Sequence, residues 1–558
     1  MSQEPPARRS FWDLFTAEPG GASPLAPFWN LFTNDPEEGT AGQSDPENLK
    51  APADPRVFDE NSVFWAMRRL PLTEATKHFL ICGTTGSGKT SAIELFLRSI
   101  APRFRVGRQL PEQLIVFDAK CDVVPTLAAL GLRPKDQNVW ILNPLDQRTA
   151  AWNVSQAIDT PAMARHFATL IVPEEPRAST PYFNDGAREL VYAVLMSLKA
   201  IAGNDWALRD LLCALESTER IQAITDQHPR AQALTHRILN DDLHSKGILS
   251  TLGTKLGKFE QVAALWHSQA ETARKFSITE FLQAPGVLIL GNDPVLRESI
   301  WPINAMLLRA LTQHILRGPN TLKPRHWFIL DEFRAMEKVD SIHDLLNRGR
   351  SKGAAVLLGI QSVEGLVDIY QEQRANDILT QCAYKTFLRV GGPKTAEWAE
   401  KFFGKVRRSE STLTENVDFP RRNKTRHHDI KERALFISSH FMALPFPTVG
   451  TDYVAINDVP CLRRTTITTR PFNQVLEWNR KPKNIEEEAP SVEWRKAADQ
   501  DLRPWTHEEQ LRFCGKLVEV KPKRRRPPPR MAKAQPAAAA KESDSGGKPK
   551  AARGNFYG

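Results

Sequence analysis

Five short apolar runs punctuate the chain: HFLIC (78–82), QLIVFD (113–118), GVLILG (286–291), HWFILD (326–331) and AAVLLGI (354–360). Each is hydrophobic at consecutive rather than alternate positions. That pattern predicts strands buried on both faces, as in a parallel sheet covered by helices. Helical patterns lie between most of them, for example SAIELFLRSI (91–100) and WPINAMLLRALTQHIL (301–316), and the alternation predicts an α/β fold. From Trp152 to about Phe276 the rhythm changes. No strand run occurs there, and DGARELVYAVLMSLKAIA (185–202), ALRDLLCALES (207–217) and AQALTHRILNDDL (231–243) read as helices. The expectation is an all-α domain at 155–276, inserted between two parts of one α/β domain, 61–154 and 277–478.

The ends differ from this body. Residues 1–60 are rich in Pro, Gly and acid and are expected to form a disordered arm. Within them FWDLFT (11–16) returns seventeen residues later as FWNLFT (28–33). Residues 479–558 read as partly helical and then as a basic, low-complexity, unstructured tail. The net charge of +10 is divided accordingly: the arm holds 4 Lys/Arg against 11 Asp/Glu, and residues 521–558 hold 11 against 2. An acidic arm, a mildly basic body and a strongly basic tail fit a protein that handles nucleic acid.

Other classes are disfavoured. Six scattered cysteines without a C-x-x-C pair suit a reducing compartment and argue against a zinc site. No apolar run approaches the ~20 residues of a membrane helix, and no apolar signal segment opens the chain. These features predict a cytoplasmic protein that does not itself cross a membrane.

The chemistry begins directly after the first run, with GTTGSGKTS: Gly83, Thr84, Thr85, Gly86, Ser87, Gly88, Lys89, Thr90 and Ser91. The spacing G-x-x-x-x-G-K-[ST] between a strand and a helix is that of a phosphate-binding loop. Small residues let backbone N–H groups curl around phosphate, and the helix N-terminus adds partial positive charge. Lys89 is expected to reach the β- and γ-phosphates of ATP, and the Thr90 hydroxyl to ligate Mg²⁺. HWFILDEF then ends a strand with Asp331, a second holder of Mg²⁺, and Glu332, a general base for the attacking water. Gln361, at the end of the next run, is placed to sense the γ-phosphate. Phosphoryl transfer also needs a cation that water cannot replace. Arg348, Arg350 and Arg389 are the candidates, with Arg350 favoured as a residue that enters a neighbouring subunit's site.

A longer series follows in order: GTTGSGKT, VFDAKCD with Asp118 and Lys120, NPLDQRTAAWNV with Asn143, Pro144, Leu145, Trp152 and Asn153, then YFNDGARELV, FSITEFL, ILDEF, GRSKGAAVLLGIQS and TAEWAEKFFG. The series resembles the type IV coupling proteins, the TraG/TraD group of conjugation and type IV secretion ATPases, over roughly residues 75 to 460. The resemblance implies a RecA-like P-loop NTPase domain with an inserted all-α domain, and homo-hexamers that engage DNA. It also implies delivery of a relaxase–DNA complex to a secretion channel. Proteins of this group usually start with membrane helices; this sequence starts with the acidic arm. Phe11, Trp12, Phe28 and Trp29 are therefore expected to dock on a membrane-bound or channel partner, at the inner membrane. A repeated motif raises avidity. Two rivals share part of the pattern: an FtsK/HerA-type DNA pump, and a non-motor receptor for secretion substrates.

Overall fold

The computed structural model describes residues 54–518 except 175–180, 241, 273, 294–295, 419–420, 463 and 496–500. The two FWxLFT copies, with Phe11, Trp12, Phe28 and Trp29, and the basic stretch 521–558 lie outside the described residues.

Nine strands make the main sheet: β1 (Phe79–Cys82), β2 (Gln113–Asp118), β3 (Val139–Leu142), β4 (Gly286–Gly291), β5 (Thr321–Leu330), β6 (Lys352–Ile360), β7 (Tyr384–Phe387), β8 (Asp452–Val459) and β9 (Arg464–Pro471). Their spatial order is β9-β8-β7-β1-β6-β5-β2-β4-β3. The seven from β7 to β3 are parallel, and β8 and β9 extend them antiparallel. All five consecutive apolar runs are strands of this sheet. Their pattern has the expected cause. In β1, Leu80 and Cys82 face one apolar layer while Phe79 and Ile81 face the other. In β2, Ile115 and Phe117 divide from Leu114 and Val116 in the same way.

Between β3 and β4 the chain leaves through Ala151–Trp152 and returns through Lys275–Phe276, two short strands paired in parallel. Among the described residues between these strands the regular elements are helices, Pro161–Ile171 and Glu260–Thr272 among them. Side chains start several of these helices, Thr160 accepting from Met163 N at 3.3 Å and Ser217 from Arg220 N at 3.2 Å. The helical part shares one continuous apolar layer with a face of the sheet, through residues such as Phe167, Leu190, Trp206 and Phe276. Burial of that layer removes water between the two parts.

Three features depart from the sequence expectations. Residues 54–60, assigned to the arm, are held to the body: Arg103 Nη2 donates to Asp59 O at 3.1 Å and Glu60 O at 2.8 Å. A two-stranded hairpin, Lys405–Asp418 with Arg421–Ala434, stands outside the main sheet. Residues 479–495 and 501–518 fasten onto the body. Arg495 N donates to Leu145 O at 3.0 Å, and the helix His507–Cys514 packs on the helical part. Among the described residues no helix is long and apolar enough to cross a membrane.

Candidate nucleotide site

The loop after β1 is sewn between two neighbouring strand tips. Gly83 N donates to Ile360 O of β6 at 3.1 Å, and Thr84 N donates to Arg389 O beyond β7 at 2.8 Å. Ser87 N donates back to Thr84 O at 3.2 Å, closing the turn. Gly86 (φ 79°) and Gly88 (φ 93°) occupy the left-handed region that favours glycine. A Cβ on Gly83 would stand 2.4 Å from Ser87 Oγ and 2.9 Å from Leu388 Cβ. The helix α1 (Lys89–Ile100) starts at the end of this loop, so its free N–H groups face the loop's concavity.

Lys89 is only 6% exposed, yet its Nζ has no hydrogen-bond partner; Ser87 Oγ is buried and unpartnered as well. A buried ammonium without an acceptor is costly. Phosphate oxygens meet that need, and the residues fit a nucleotide on this ground. The nearest anion is Glu332, with Oε2 3.5 Å from Lys89 Nζ.

Glu332 follows β5 in the left-handed region (φ 56°, ψ 56°), a conformation that a non-glycine residue adopts at a cost. The turn ends the strand abruptly and brings the carboxylate back toward Lys89. Gln361 Nε2, from the tip of β6, donates to the same Oε2. Asp331 lies beside them, its Oδ1 accepting from Glu332 N at 2.9 Å and its Oδ2 3.9 Å from Lys120 Nζ. A Cβ on Gly359 would come within 2.7 Å of Asp331 Oδ1, so the glycine in β6 makes room for this carboxylate. Burial raises the Asp331 pKa, and the positive charges of Lys89 and Lys120 oppose the rise. At the tip of β2, burial pushes Asp118 up to about 6 even though it accepts from Asp122 N at 2.9 Å and Val123 N at 3.2 Å.

Beside α1 lies a cavity of about 260 Å³ whose walls include Thr90, Glu94, Asp118, Lys120, Asp331 and Lys481. Among the described residues no group of three or more His, Cys, Asp or Glu could hold a metal. Mg²⁺ does not require such a cage, because it keeps several waters and binds through one or two protein oxygens plus phosphate. Thr90 and Asp331 fit that demand.

The sequence-predicted residues thus divide. Lys89, Asp331, Glu332 and Gln361 converge. Arg350 does not: it is exposed and precedes β6, at the end away from Gln361. The intervening strand spans roughly 30 Å at ~3.3 Å per residue, so Arg350 cannot touch a phosphate in its own chain's loop. Arg348 lies at the same distant end. Arg389 alone of the three adjoins the loop. Sequence reasoning missed the contacts on α1 from much later in the chain. Asn479 Nδ2 donates to Ser91 O at 3.0 Å, and Lys481 Nζ stands 3.2 Å from Glu94 Oε1. No spacing rule links residues nearly four hundred positions apart.

Comparison with known proteins gives the family and the fold. The family model of the type IV secretion-system coupling protein DNA-binding domain matches residues 66–463. The chain is similar to the coupling protein TraD of Escherichia coli (strain K12), 22% identical over 380 residues, which are 66% of this chain and 50% of TraD. It is also similar to the type IV secretion system-coupling protein VirD4 of Bartonella henselae, 20% identical over 313 residues, 51% of this chain and 47% of VirD4. The chain spans about half the length of the curated relatives it matches. Among solved structures, the bacterial conjugative coupling protein TrwBdeltaN70 in complex with sulphate superposes with a TM-score of 0.58 at 19% identity, over 78% of this chain and 93% of that one. The plasmid coupling protein TrwB in complex with ADP and Mg²⁺ gives 0.55 at 19% identity, over the same shares. These likenesses are of fold.

Proposed function

The chain belongs to the type IV secretion-system coupling protein DNA-binding domain family, and on that premise we propose that it is an ATP-hydrolysing motor that couples a relaxase–DNA substrate to a secretion or conjugation channel. One observation carries the reading: Lys89 Nζ is buried at the mouth of a phosphate loop without a hydrogen-bond acceptor, facing Glu332 and Gln361. ADP and Mg²⁺ are the ligands of the similarly folded TrwB.

In this reading the loop Gly83–Ser91 binds the phosphates through backbone N–H groups, and Lys89 neutralises charge on the β- and γ-phosphates. Mg²⁺, held by Thr90 and Asp331, supplies further charge neutralisation. Glu332 accepts a proton from the attacking water, and Gln361 holds that carboxylate in place until the phosphate arrives. Subunits form a homo-hexameric ring in which Arg350 serves the neighbour's site. Basic surfaces then hold DNA through its phosphates, with little sequence preference. The protein works in the cytoplasm, at the inner membrane through a partner docked on Phe11, Trp12, Phe28 and Trp29.

The test is the rate of ATP hydrolysis with and without single- and double-stranded DNA, alongside particle mass. DNA-stimulated hydrolysis by a hexamer is expected. Hydrolysis absent under every condition would leave a receptor, not a motor.

A further inference from the structure

Phosphate placement gives the nucleotide a direction along the rim of the sheet. Glu332 and Gln361 stand at the tips of β5 and β6, on one flank of β1; β7 and β8 lie on the other. With its γ-phosphate against Lys89 and Glu332, a nucleotide runs away from them, toward β7.

That flank carries an aromatic ring backed by a guanidinium. Phe446 Cδ1 comes within 3.8 Å of where a Cβ would stand on Gly86, so the ring borders the phosphate loop. The Arg389 guanidinium carbon lies 4.6 Å from the Phe446 ring centroid. Arg389 is itself pinned, with its carbonyl accepting from Thr84 N at 2.8 Å and Nη1 donating to Leu444 O at 2.9 Å. Further along the same segment, Pro447 and Tyr453 stand 3.1 Å from the place of a Cβ on Gly88. The segment is therefore fastened to the loop at several points. Phe446 still keeps 45% of its surface exposed. A rigidly held, half-exposed ring at the edge of a phosphate loop has the form of a stacking surface.

We infer that Phe446, with Arg389 behind it, is the platform on which the nucleobase of the bound nucleotide stacks. The inference rests on the nucleotide reading and adds the base-binding part of the site. A ring face carries no donor pattern, so the platform weighs the presence of a purine rather than its identity.

Calorimetric binding of ATP, GTP and inorganic tripolyphosphate to the full-length protein with Mg²⁺ tests it. Phe446→Ala should weaken both ATP and GTP about tenfold and leave tripolyphosphate unchanged, since stacking is the one contact to the nucleotide that the substitution removes. Phe446→Trp should bind ATP at least as well as the parent. Lys89→Ala should weaken all three ligands. If Phe446→Ala spares ATP, or weakens tripolyphosphate equally, the platform is refuted while the nucleotide reading stands. A parent protein that binds none of the three refutes both.

Discussion

Lys89 and Glu332 lie 243 residues apart in the chain, yet Nζ and Oε2 are 3.5 Å apart. Strand order produces the meeting. β6 lies between β1 and β5, its tip accepting Gly83 N through Ile360 O and supplying Gln361 to Glu332. The group proposed to bind phosphate and the group proposed to activate water thus share one point above the sheet.

The buried Asp118 gives the fold a pH signature. Its folded pKa of about 6 lies above its ordinary value of 3.8, so the folded state holds the proton more tightly than the unfolded one. Stability therefore falls as pH rises from about 4 to about 6, and the loss is complete above that. Asp118→Asn should gain on the order of 2 kcal/mol relative to the parent between pH 4 and pH 8. Nucleotide-free thermal melts across that range check this; a constant difference would contradict it.

Arg209 clamps the end of the described chain. It donates from Nη1 to Glu509 Oε1 at 2.6 Å and from Nη2 to Glu509 Oε2 at 2.9 Å, and Trp505 Nε1 donates to Asp210 Oδ1 at 2.8 Å. The hydrogen bonds from Arg209 hold Glu509 down at about 2. A lowered carboxylate stabilises above its unfolded pKa and loses that contribution as pH falls from ~4.5 toward ~2. Trp505 fluorescence should change in that window. In Arg209→Leu the change should already be present at pH 7, with faster proteolytic loss of residues 501–518.

How much of this was legible follows from the type of contact. The five apolar strands and the phosphate loop were readable, because two-sided burial and phosphate chemistry act on consecutive residues. β7 (YKTF) was not, because it carries Lys385, whose Nζ is buried against Cys382 O; β3 (VWIL) has the same apolar pattern as the five but no phosphate-site motif beside it to single it out. β8 and β9 alternate with polar residues such as Asn457, Thr466 and Thr468, which bond to one another inside the sheet. Arg350 was recognisable as a cation near the motifs, but its distance from the loop depends on strand direction. The clamp on Glu509 depends on two surfaces meeting and has no local signal.

Arg350→Ala should spare ATP binding and remove most hydrolysis, since the residue is proposed to act on a neighbour. Mixed with Lys89→Ala under conditions of demonstrated subunit exchange, it should regain some activity, because intact loops then meet intact arginines. No regain would remove Arg350 from the reaction.

Paired alanines at Phe11/Trp12 or Phe28/Trp29 should each reduce DNA transfer in cells moderately, and all four together should nearly abolish it. Purified ATPase activity should stay at the parental level in every case. Loss of that activity would place the rings in the protein's own fold.

ATP binding and single-turnover hydrolysis, compared between the parent and Glu332→Gln, isolate the role of this carboxylate. The amide keeps the size of the side chain and removes its capacity to accept a proton at neutral pH. Glu332→Gln should bind ATP as tightly as the parent or more so, and hydrolyse it about a hundredfold or more slowly. Hydrolysis at the parental rate would show that another group activates the water.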